Sequence, residues 1–120
     1  MTHPYIYAGL PESEKYFVMN GISVSNPKDI IDIVCEQLQF EREQLTGLSR
    51  KRPLVEARQI AIGLILISNP GIGLKKVGKM FNRDHSTIIY ARENFNDLYN
   101  TNKQFTQKVN MVRLQTNNLN

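Results

Sequence analysis

Asp84, His85, Ser86 and Thr87 stand consecutively in the second half of a 120-residue chain. Carboxylate, imidazole and hydroxyl are the groups of a hydrolase triad, in which nucleophile, base and orienting acid converge within hydrogen-bond reach. Consecutive residues at a helix start point about 100° apart, so these three do not hand a proton along the line. His3 is the only other histidine, and Cys35 the only cysteine, which leaves no metal-ligand set at the usual spacing. The same residues suit a different task. A helix N-terminus offers unpaired N–H groups and partial positive charge, both attractive to phosphate. Side chains of that first turn reach base edges when the helix end enters a major groove. There Asp84 can accept from a cytosine amino group, His85 can donate to a purine, and Ser86 or Thr87 can bond a phosphate or touch a thymine methyl. The plainer alternative is a capping Asp84 beside a surface His85.

Such a reading head needs elements to position it. Asp84 is suited to cap a helix that Ile88, Ala91, Phe95 and Leu98 continue with one apolar face. Before it, Leu74, Val77, Gly78 and Phe81 give a short helix ending near Asn82. Two helices joined by a tight turn at Asn82-Arg83 make a helix-turn-helix pattern. Upstream, Asn26-Pro27-Lys28-Asp29 is a helix start, and Ile31, Val34, Cys35 and Leu38 follow at helical spacing. Cys35 on that face reads as core rather than nucleophile. A short helix is expected over residues 41–45, ending at Thr46-Gly47. Pro53 marks a further helix over about residues 54–68, after the basic loop Ser49-Arg50-Lys51-Arg52. Periodicity alone also allows its Ile-rich half to be a buried strand. Length and the stop at Asn69-Pro70-Gly71 favour a helix buried nearly all round. Phe105, Val109 and Val112 suggest a last helix over about residues 102–115. Residues 1–25, broken by Pro4, Gly9, Pro11 and Gly21, read as an arm of unknown role, and residues 116–120 as a frayed tail.

The charge distribution supports the reading head. Residues 1–49 carry three basic against seven acidic residues, whereas residues 50–92 carry nine against two, a segment net of +7 within a chain net of +4. A positive field confined to one segment points to a polyanion partner. Lys75, Lys76, Lys79 and Arg83 surround the turn and are placed to hold phosphates. The longest apolar run, Ile60 to Ile67, is well short of the ~20 residues of a spanning helix, so no membrane is expected. Residues 1–15 lack a basic start followed by an apolar stretch, so no signal peptide is expected. A lone cysteine fits a reducing cytoplasm.

At this point the sequence resembles the C-terminal DNA-binding domain of the bacterial replication initiator DnaA family. The likeness rests on Glu56-Ala57-Arg58-Gln59-Ile60-Ala61, on Val77-Gly78-Lys79-Met80-Phe81, and above all on Arg83-Asp84-His85-Ser86-Thr87-Ile88-Ile89-Tyr90-Ala91. It covers roughly residues 26–115. The resemblance implies an all-α single domain of about five to six helices with a helix-turn-helix, in the manner of the Trp repressor. It implies double-stranded DNA as partner and recognition of a short duplex element, the DnaA box, in replication initiation or its regulation. By position, Asp84, His85, Ser86 and Thr87 would read the major groove and Arg50 the adjacent minor groove. Arg58 would lie near the phosphate backbone, with Lys51, Arg52, Lys75, Lys76, Lys79 and Arg83 completing the DNA-binding set. An arginine in a narrow minor groove reads its width and potential. Some residues depart from the family pattern. Ser86 replaces a threonine, Asn82 stands where Gly-Gly is usual, Glu56 and Leu66 occupy positions often basic, and Tyr90 replaces a histidine. The sequence contains no Gly-x-x-x-x-Gly-Lys-Ser/Thr loop. The expectation is therefore a stand-alone domain without the family's AAA+ module, binding no nucleotide and needing no cofactor. The competing reading is a protein-interaction or transcription-regulatory module, with a replication or regulatory protein as partner, that keeps the fold without DnaA-box specificity.

Overall fold

The computed structural model describes residues 26–118, and the expectation of an arm over residues 1–25 falls outside them. Six helices and no strands occur among the described residues. Helix α1, Pro27–Leu38, starts as its sequence requires: the Asn26 side chain accepts from the Asp29 amide at 2.9 Å, with Pro27 in the first turn. Its buried face is Ile30, Ile31, Ile33 and Val34, while Cys35 and Leu38 pack half-buried at the edge. Gln39, in the left-handed region at φ 65°, ends it. Helix α2, Arg42–Thr46, is one turn whose Gln44 side chain accepts from the Glu41 amide, and it buries Leu45 completely.

Helix α3, Arg52–Ser68, is the axle. Every residue from Ala57 to Ser68 is buried. The Ile-rich segment is thus helical, because α1, α2, α5 and α6 all pack around it. A helix surrounded on all sides carries no polar face, which is why its periodicity was ambiguous. Gly63 decides how closely α5 crosses it, since a Cβ at this position would lie 2.3 Å from the Phe95 ring.

Helices α4, Leu74–Met80, and α5, His85–Thr101, form the helix-turn-helix. The turn is tight: the Arg83 amide donates to Gly78 O at 2.8 Å, and a Cβ on Gly78 would meet Arg83 O at 2.4 Å. Asn82 takes the left-handed conformation at φ 56°, which asparagine tolerates better than most residues with a Cβ. Helix α6, Lys103–Asn118, buries Phe105, Val109 and Val112 as the spacing predicted. Its backbone stays helical through Asn118, past the expected end near residue 115. No helix among the described residues is long and apolar enough to cross a membrane.

Candidate nucleic-acid interface

The α5 tip is built around one carboxylate oxygen. Asp84 Oδ1 accepts from the Thr87 amide at 3.1 Å, the Ser86 hydroxyl at 2.7 Å and the Thr87 hydroxyl at 3.2 Å. The Ser86 bond first, then the two from Thr87, hold the Asp84 carboxyl below the usual carboxylate range. Both hydroxyls donate straight to the carboxylate, with no imidazole between them. The arrangement is a helix cap with its side chains prearranged, and it lacks the order of a proton relay. His85, Ser86 and Thr87 are exposed at the positive end of a 17-residue helix. Cys35, by contrast, lies half-buried at the core edge, where burial pushes its thiol up. No cluster of three or more metal-binding side chains occurs among the described residues.

The loop between α2 and α3, residues 47–51, lies against this turn. Two residues of the turn reach across a separation of 36 residues to fasten it and the last residue of α2. Asn82 Nδ2 donates to Thr46 O at 3.2 Å, and Arg83 Nη2 donates to Gly47 O at 2.6 Å. Arg83 Nη1 donates to Phe81 O within the turn itself. Arg58 of α3 fastens the same loop and the end of α2: Nε donates to Leu45 O at 2.7 Å, Nη1 to Ser49 O at 3.3 Å, and Nη2 to Gln44 O and Gly47 O at 3.4 Å each.

Arg58 lines a cleft beside this loop yet is largely enclosed. Expected beside phosphate, it is only 7% exposed and its guanidinium is spread over four backbone carbonyls. Burial and then the nearby Arg83 charge push it below the ordinary guanidinium value. A clue was present in the sequence. Leu54, Arg58, Ala61 and Ile65 share one helical stripe, so Arg58 occupies a core position. Arg83 is likewise half-buried and committed to two carbonyls.

A cleft of about 590 Å³ runs between the loop and α5, lined in part by Arg50, Arg58, Arg83, Thr87 and Tyr90. The fold thus brings the loop arginine and the helix tip to one place. Arg50 and Lys51 are exposed on the loop, Arg52 at the start of α3, and Lys75, Lys76 and Lys79 on α4. Lys76 borders a separate depression with Pro27 and the α3–α4 connection. Two residues of the cleft were missed as site residues: Leu48, 82% exposed, and Tyr90, 64% exposed. Tyr90 lies one turn after Ser86 and Thr87 on α5, a spacing that could have marked it. An apolar residue in a polar basic loop was the available signal for Leu48.

Comparison with known proteins adds an independent line. A family model described as the bacterial dnaA protein helix-turn-helix matches residues 27–94. A chromosomal replication initiator protein DnaA of Synechococcus sp. (strain JA-2-3B'a(2-13)) is 35% identical over 108 residues, covering 85% of this chain and 23% of that protein. The protein of the same name in Tropheryma whipplei (strain Twist) is 40% identical over 73 residues, covering 61% of this chain and 15% of that protein. That of Bacteroides fragilis (strain YCH46) is 38% identical over 64 residues, or 52% of this chain and 13% of that protein. The chain thus spans less than a quarter of the length of these relatives.

Proposed function

The chain belongs to the bacterial DnaA helix-turn-helix family, a DNA-binding family, and from that membership we propose that it binds a DnaA-box-like duplex element sequence-specifically, in replication initiation or its regulation. The tip of α5 enters the major groove, where His85, Ser86 and Thr87 meet base edges and phosphate. Asp84 Oδ1 is committed to the cap, so the other carboxylate oxygen, which carries none of those bonds, accepts from a cytosine amino group. Arg50 enters the neighbouring minor groove, and the sugar-phosphate strand that separates the two grooves crosses the cleft between them. Exposed lysines and arginines on the loop and on α4 neutralise phosphates and supply the sequence-independent part of the affinity. Arg58 and Arg83 act as positioning residues that fix the distance between the two reading elements.

The observation that carries this reading is the juxtaposition of Arg50 and Thr87 in one cleft, with the loop and the turn joined by hydrogen bonds from Asn82 and Arg83. Selection of bound duplexes from a random pool tests it. One short motif should be enriched, and His85→Ala and Arg50→Ala should each weaken binding to that motif by ~1–3 kcal/mol relative to unrelated duplex. An unenriched pool, or a His85→Ala chain that binds every duplex as the parent does, would sink the reading.

A further inference from the structure

Leu48 is the most exposed large apolar side chain among the described residues, at 82%. A single surface leucine is ordinary. This one is held outward by its neighbours. On one side, Gly47 O accepts from Arg83 at 2.6 Å and from Arg58 at 3.4 Å. On the other, Ser49 O accepts from Arg58 at 3.3 Å, and the Ser49 hydroxyl accepts from the Lys51 amide at 3.2 Å. Both flanking residues are thus tied down, so the backbone cannot easily swing Leu48 onto the core.

We propose that Leu48 is a wedge that enters the minor groove beside Arg50 and partly unstacks a base step there. The inference rests on the duplex-binding reading above and adds a deforming element to it. Two observations and one general device of groove binders converge on a duplex as the occupant. Leu48 and Arg50 line the same cleft. Arg50, Lys51 and Arg52 follow in the chain and are all exposed, so the wedge stands beside cations that draw in a polyanion and oppose a basic partner. Apolar side chains inserted between base steps are a general device of minor-groove binders, and the energy of unstacking is returned by wider contact with the bent duplex. Such a wedge favours pyrimidine–purine steps, which unstack most readily. It would therefore read sequence at a position touched by no hydrogen bond.

The fluorescent adenine analogue aminopurine, placed singly along the minor-groove part of a duplex recovered by selection, reports unstacking directly. With the parent chain, fluorescence should rise severalfold at one step on binding. Leu48→Ala should abolish the rise and weaken binding about tenfold, while Leu48→Met should restore both. Melting should match the parent in each variant, because the side chain makes little contact in the folded protein. A rise that persists in Leu48→Ala, or specific binding by the parent with no rise at any step, overturns the wedge and leaves duplex recognition standing. If the parent chain retards no duplex at all, the duplex reading fails first and takes the wedge with it.

Discussion

Two seams join distant parts of this chain, and they are made of different material. Where α6 returns to α5, the contact is an aromatic cluster with a few hydrogen bonds gathered on Tyr99. The Phe95 ring stands edge-on to Phe105 at 5.8 Å and stacks with Tyr99 at 6.1 Å, and the Arg113 guanidinium lies 5.9 Å from the Tyr99 ring centroid. Where the 47–51 loop meets the helix-turn-helix, the contact is a set of charged and amide donors on backbone carbonyls. Apolar packing is strong and weakly directional, whereas hydrogen bonds to carbonyls fix distance and angle. The first seam holds the domain together. The second holds two surface segments at a set separation, which the proposed reading of two grooves requires.

The sharpest way to break the contrast is Phe95→Ala. Phe95 is 1% exposed and packs on Gly63, so truncation should cost about 3–5 kcal/mol in urea unfolding. Any protein still folded should keep its ratio of selected to random duplex binding. A changed ratio would mean that the aromatic seam also sets the reading geometry. Arg58→Met comes next. Loss of a buried guanidinium takes a donor from four carbonyls, of which Gln44 O and Gly47 O keep another, and should cost about 2–4 kcal/mol. Unlike Phe95→Ala, it should also erode the ratio. Unfolding indistinguishable from the parent would show that the loop does not depend on Arg58.

Asn82→Gly sharpens the comparison further. Glycine accepts the left-handed φ at no steric cost, so the change isolates the bond to Thr46 O. Stability should fall by no more than about 1 kcal/mol, while the ratio drops measurably in competition binding. An unaltered ratio would mean that this bond does not transmit position. The smallest effect belongs to acid. The Asp84 carboxyl has its folded pKa depressed below the ordinary 3.8. Its stabilisation is therefore complete above the unfolded value and lost as pH falls through the lower folded one. Melting followed from pH about 5 to about 2 should show a small loss that Asp84→Asn lacks. Equal acid sensitivity in both chains would remove Asp84 as its source.

Much of this architecture is written locally. Asn26, Pro27 and Asp84 announce helix starts through groups that bond within their own first turn. The stripe of Phe105, Val109 and Val112 needs only helical spacing to be recognised. Local signals survive reading because both partners lie within a few residues of each other. Helix α3 was harder, since burial on every side erases the periodic contrast on which such reading depends.

The sequence by itself determined an all-α chain with a helix-turn-helix, an exposed polar helix tip and a basic segment around it. Only the tertiary structure decided which cations face outward. Arg50 and Arg58 are the same residue type eight positions apart, yet one is exposed on the loop and the other is buried beneath it. Composition counts both as charge. Their difference depends on carbonyls of residues 44–49 and on a turn 36 residues away, which approach only when α2, α3 and α5 have packed together.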